Sequence, residues 1–209
     1  VSAVIPRKPD PDDGRATPGG ILDSGVINYL NKAGQLTARP HKAHDPVSEL
    51  YYTAVRYFKG QGNVGAYSSF GADASPYDLA DAFPVIGRWN DPIRYRCQAN
   101  LILGIGDTAT NRDKNLPGNS VRADEPSVPS EVSSDRRVNV VAATKKVAEL
   151  EGVTISTAFT QGYNSAYIAG LAYDSHTVDL RPDLKDKQTI STHWVDVRQF
   201  GVLENRARN

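Results

Sequence analysis

Methionine is absent from the chain, even at position 1, and cysteine occurs once, at Cys97. Without a methionine start, the sequence reads as a processed product or an excerpt of something longer. One cysteine excludes an internal disulfide and any metal site built from spaced thiolates. It says little of the redox compartment, since a partner cysteine could lie elsewhere. Net charge is missing too: 24 Lys and Arg balance 24 Asp and Glu. No basic stripe interleaved with aromatics is present to track a phosphate backbone, so nucleic acid is not an expected partner. No apolar run approaches the roughly 18 to 20 residues of a membrane helix, and the N-terminus lacks the charged, apolar and small-residue succession of a signal peptide. A soluble piece is expected, with no membrane span and with any export signal outside it.

What is present suits one globular core: 209 residues, of which 39% are hydrophobic, fall in the range of a single domain. Residues 1–20 mix Pro, Gly and charge without an apolar period and predict an irregular arm. The remainder, 21–209, reads as one domain. LDSGVINYLNKAG, with Val26, Ile27 and Leu30 at helical spacing and Gly34 as a stop, predicts a short helix. DPVSELYYTAVRYFKG predicts a stronger one: Asp45 to cap free amides, Pro46 at the first position, Gly60 after the end, and Val47, Leu50, Tyr51, Ala54, Val55 and Phe58 on one stripe. Residues 61–92 read as an insertion with its own contacts. Leu101, Ile102, Leu103 and Ile105 form a near-continuous apolar strand, the pattern of a strand buried on both faces of a parallel sheet. Residues 108–134 predict a surface loop. Helices follow over about 135–151, with Val140, Ala143, Val147 and Leu150 inward, and over SAYIAGLAYDSHT, where Gly170 is the weak point. QTISTHWVDVRQF is a strand by propensity. The order helix, strand, helix, helix, strand gives a layered α/β domain with a mostly parallel sheet.

Asp107 follows the apolar strand directly, and ligands of open parallel sheets bind beyond the carboxyl ends of the strands. It has two readings, a turn cap after GIG or an oxygen ligand for a divalent cation. The glycines of GIGD do not continue into GxGxxG, and GxxxxGK[ST] is absent, which argues against a Rossmann or P-loop nucleotide site at this strand. GxSxG and HExxH are also missing, and the four histidines show no ligand spacing. His41 and His44 are expected in solvent, and His193 as a satisfied, partly buried imidazole. Cys97, between Arg94, Arg96 and the next strand, is expected to be a small buried hydrophobe. The tyrosines between 51 and 77 read as core or loop anchors, with an adhesive surface as the alternative.

Four stretches in order, SGVINYLNKAG, DPVSELYYTAVRYFKGQGNV, CQANLILGIGDTATNRDKNLPGN and AYDSHTVDLRPDLKDKQTISTHWVDV, resemble the PilC/PilY family over most of residues 22–198. The resemblance implies a partial von Willebrand A-like (Rossmann-like) domain, incomplete at its N-terminus, with loop insertions near 61–92 and 108–134. It also implies a non-enzymatic role at the type IV pilus tip, in pilus assembly, surface adhesion and surface or mechanical sensing. The protein would be exported through the periplasm and displayed outside the cell. Its implied partners are minor pilins, a C-terminal β-propeller of the same protein, and host or abiotic surfaces. In A-domains a metal-ion adhesion site joins an Asp-x-Ser-x-Ser loop, a Thr and a third-loop Asp. By position Asp107 matches that Asp, and Asp45 stands where the Thr would be, making them candidate ligands for Mg²⁺ or Ca²⁺. The Asp-x-Ser-x-Ser motif itself does not occur in this chain. The alternatives are a secreted α/β hydrolase using Asp107 with a histidine, and a purely structural scaffold of the pilus tip.

Overall fold

The computed structural model describes residues 44–67, 88–106, 110–120, 125–154, 160–161 and 164–196. The expected arm at 1–20 and the helix at 22–34 lie outside them, as does 68–87 of the expected insertion. The chain divides into two units, Val1–Ala43 with Gly65–Gly87, and His44–Val64 with Arg88–Asn209. Of the first, only Gly65–Tyr67 is described, as a single 3-10 turn.

The second unit carries α1 (Val47–Phe58), β1 (Asn100–Gly106), the short α2 (Ser130–Ser133), α3 (Val140–Leu150), β2 (Thr160–Gln161), β3 (Asn164–Ser165), α4 (Tyr167–Thr177) and β4 (Ile190–Asp196). β1 pairs with β4 in parallel, in register from Asn100 opposite Ile190 to Gly106 opposite Asp196, and β2 with β3 forms a minimal antiparallel hairpin. The architecture is therefore mixed α/β with a parallel sheet, as the order of the predicted elements implies. The helices α2, α3 and α4 lie in the long crossover that two parallel strands require.

α1 forms where expected, but its buried face is rotated. Tyr51, Tyr52 and Val55 are inside together with Ser48, Glu49 and Arg56, while Leu50 is 66% exposed. Polar groups decide the rotation, because a charge can enter the core only with partners. The Tyr52 hydroxyl donates to Asp135 Oδ2 at 2.7 Å, and Arg56 Nη1 donates to the Tyr52 oxygen at 3.0 Å. Arg56 Nε reaches the Gly62 carbonyl at 3.1 Å. Burial pushes the Tyr52 phenol well above its usual range, and the hydrogen bond to Asp135 pushes it the same way. Asp135 is thus a core acceptor rather than the start of the next helix. That helix, α3, begins at Val140, where Asn139 accepts from the Ala142 amide at 2.9 Å. It buries Val140, Thr144 and Ala148 and leaves Leu150 exposed, so its inner face also differs from the expected one.

Among the described residues, helices cover one face of the sheet. Tyr51 of α1 reaches Thr192 of β4 and Ser175 of α4 through its hydroxyl, tying both helices to the inner face. On the outer face Leu101, Leu103 and Ile105 are 60, 65 and 68% exposed, and Val195 is 51% exposed. The expectation of a strand buried on both faces is overturned: β1 alternates, and only its even-numbered residues turn toward the helices. On that inner face the Trp194 ring occupies the space beside Gly104, its register partner, so that an added Cβ would run into ring carbons. Gly104→Ala should therefore cost about 1–2 kcal/mol by displacing the indole. The check is a urea titration followed by tryptophan emission. An unchanged midpoint and spectrum would show that Trp194 does not need the missing Cβ.

Residues 113–119 are irregular but not a surface loop as expected. Asp113, Lys114, Asn115, Leu116 and Asn119 are all buried. Their polar atoms are paired inside: the Asn115 amide donates to Glu49 Oε1 at 2.9 Å, and Asn119 Nδ2 to the Lys114 carbonyl at 2.8 Å.

Candidate functional site

The N-terminus of α1, the segment Thr110–Asp113 and the β2–β3 hairpin meet at one polar cluster. Four N–H groups at a helix start have no intrahelical partner, and in α1 Pro46 precedes the first turn without a capping side chain. The cap comes from Asp113 instead. Its Oδ1 accepts from the amides of Ser48 at 2.6 Å and Glu49 at 3.1 Å. Its Oδ2 accepts from the hydroxyls of Ser48 at 2.5 Å and Ser165 at 2.9 Å. Thr110 closes the ring: its hydroxyl accepts from the Ser165 amide at 3.0 Å. Asp113 is fully buried, and burial pushes its carboxyl up to about 6, although the hydrogen bonds from Ser48, Ser165 and the Glu49 amide pull the other way.

Asp45 stands at the mouth of this cluster, exposed. It contributes its carbonyl, which accepts from the amides of Val47 at 2.9 Å and Asn111 at 3.0 Å. The capping role expected of Asp45 is therefore taken by Asp113. Asp107 lies outside the described residues. Among the described residues no group of three or more His, Cys, Asp or Glu is placed to hold a metal ion, and both Asp113 oxygens are already taken by donors. The described residues therefore bring no cluster of free carboxylates to this place for a hard divalent cation.

The remaining sequence candidates are scattered. His44 is half-buried rather than solvated, with Nδ1 3.2 Å from Asn111 Oδ1. His176 Nδ1 lies 3.1 Å from the Ile190 carbonyl. His193 is exposed on β4 rather than partly buried, and Cys97 is exposed rather than a core hydrophobe. In the described residues no histidine hydrogen-bonds a Ser or Thr hydroxyl, and no helix is long and apolar enough to cross a membrane. Sequence reasoning missed Asp113, Ser48, Ser165 and Thr110. The one available signal was Pro46 beside a helix start that needed an acceptor from elsewhere.

Comparison with known proteins gives a family for this arrangement. A family model described as PilY1 homolog, second domain, matches residues 32–178. A type IV pilus biogenesis factor described as a PilY1 homolog, from Xylella fastidiosa (strain Temecula1), is 50% identical over 219 residues, covering 96% of this chain. The chain spans 18% of the length of that relative. No solved structure matches.

Proposed function

The chain belongs to the family of PilY1-homolog second domains, and from that premise we propose that it is a non-catalytic module of a type IV pilus-associated protein. In this reading it acts in pilus assembly, surface adhesion and surface or mechanical sensing. The observation that carries it is the 50% identity over 96% of the chain to a pilus biogenesis factor. The parallel pair β1–β4 with helices on its inner face is what a partial von Willebrand A-like layer would look like. In the same reading the protein is exported and displayed at the pilus tip, where it meets minor pilins, a β-propeller of the same protein, and host or abiotic surfaces. The hydrolase alternative has no supporting constellation in the described residues.

The reading is tested in cells by removing residues 44–196 from the full-length protein and measuring sheared surface pili and attachment. Reduced piliation or attachment is expected. Undiminished values of both would refute an active role and leave a dispensable scaffold. The metal question is separate. Calorimetric titration of Mg²⁺ and Ca²⁺ into the chain is expected to give no saturable heat below about 1 mM, because among the described residues Asp45 has no cluster of carboxylates to join. Saturable heat that disappears in Asp107→Ala or Asp45→Ala would reinstate the adhesion-type cation site.

A further inference from the structure

A cleft of about 200 Å³ opens beside the C-terminal end of α1, lined by Tyr57, Gly62, Trp89, Asn90, Asp91 and Arg181 among others. We propose that this cleft binds one ring of a neutral saccharide. The inference deepens the adhesive reading and rests on it for its biology, not for its chemistry.

Its size excludes large ligands. Pockets for drug-sized molecules run to about 300–1,000 Å³, so this one takes a single ring-sized group. One wall is aromatic: the Tyr57 and Trp89 rings meet edge to face, with centroids 5.6 Å apart at 85°, and Trp89 is half-buried. An aromatic ring face is electron-rich and attracts the weakly positive C–H groups on one side of a pyranose. The other wall is polar and fixed. Arg181 Nη1 donates to both oxygens of Asp91 at 2.8 and 2.9 Å, and its Nε and Nη2 donate to Asp183 at 2.9 and 2.7 Å. Asp91 Oδ1 also accepts from the Ile93 amide at 2.9 Å. Asp91 is nevertheless half-exposed, so it keeps acceptor capacity for a hydroxyl, and the exposed Asn90 amide supplies both a donor and an acceptor.

Charge selects against ionic ligands. The guanidinium is spent on two carboxylates, which leaves no unpaired positive charge to draw a phosphate or a sialic acid. Asp91, Arg181 and Asp183 together keep one net negative charge, on exposed carboxylates already engaged by the guanidinium, so an anion is repelled and a cation feels only a weak, screened pull. A neutral polyol with one apolar face and one hydroxyl-bearing face matches both walls.

Gly62 allows a test that spares the fold. Nothing lies within 4 Å of a Cβ added there, and its φ is not in the left-handed region, so Gly62→Leu fills open space at the cleft without strain. The probes are methyl β-galactoside, methyl α-mannoside, N-acetylglucosamine, N-acetylneuraminic acid and choline, followed by saturation-transfer NMR and tryptophan emission on the full chain. At least one neutral sugar is expected to bind with a dissociation constant on the order of 1 mM, as suits one small exposed ring. Binding should weaken at least tenfold in both Trp89→Ala and Gly62→Leu, with unchanged circular dichroism in the latter. Absence of binding by all three neutral sugars, stronger binding of the acid or of choline, or binding that survives Gly62→Leu would each overturn the proposal. None of those outcomes touches piliation, so the adhesive reading would stand or fall on its own experiment.

Discussion

Replacing Asp113 by Ala is expected to lower the free energy of unfolding by about 3 kcal/mol, the sum of a lost helix cap and stranded buried donors. Four groups depend on this one carboxylate: the amides of Ser48 and Glu49 and the hydroxyls of Ser48 and Ser165. Because Asp113 joins α1 to the β2–β3 hairpin, the loss should also loosen the hairpin, visible as faster amide exchange at Ser165. Asp113→Asn keeps an oxygen for the two amides and removes the charge, so it should retain most of the stability.

The two variants also separate capping from charge. The Asp113 carboxyl titrates at about 6 in the folded chain against 3.8 for the free group, so the folded state holds the proton more tightly than the unfolded one. The stability that this proton contributes is fully present below pH 3.8 and is lost as pH rises through about 6. Its size is about 2–3 kcal/mol. Measured by urea titration, the native chain should therefore gain on Asp113→Asn as pH falls across this window. Parallel pH profiles for the two would mean that Asp113 is not held at a raised value.

Gly170→Ala is expected to cost about 2–3 kcal/mol, although alanine is worth up to about 1 kcal/mol more than glycine inside a helix. An added Cβ at 170 would clash with Thr144 Oγ1 and stand 2.6 Å from the Thr144 amide nitrogen and 3.0 Å from its Cα. The hydroxyl could turn away, but the backbone of α3 could not, so α3 and α4 would have to separate. Adding Thr144→Ala should therefore restore little. Full recovery in the double variant would show that only the side chain is in the way, and a neutral Gly170→Ala would show that the helices are not this close.

The longer elements were legible in the sequence and their orientations were not, while α2 and the β2–β3 hairpin were not anticipated at all. Pro46 and Gly60 bracket α1, and the 3.6-residue recurrence of apolar groups identifies a helix whatever face it buries. Which face is inside depended on Arg56 and Ser48, polar residues that an apolar count assigns to solvent; their partners Asp135 and Asp113 lie 79 and 65 residues away. The apolar run of β1 likewise identifies a strand, but a run of Leu and Ile cannot say whether a second layer covers its far side. Residues 113–119 carry Asp, Lys, Asn, Pro and Gly, a turn composition, yet all but Gly118 are buried, with polar atoms of Asp113, Asn115 and Asn119 paired inside. Gly170, read as a weakness of α4, is the contact that lets α3 approach. The candidate site was not legible: Asp107, singled out at the carboxyl end of β1, lies outside the described residues, and the residue that organises the polar cluster, Asp113, carries no local signature.

The parallel pairing of β1 with β4 also fixes how the sheet would carry a load. Tension that enters through Asn100 and leaves through Asp196 pulls the two strands along their length from opposite ends of the ladder, with seven residues of each strand in register. Every rung is then sheared at once, whereas an antiparallel hairpin pulled at its open end would give way one rung at a time.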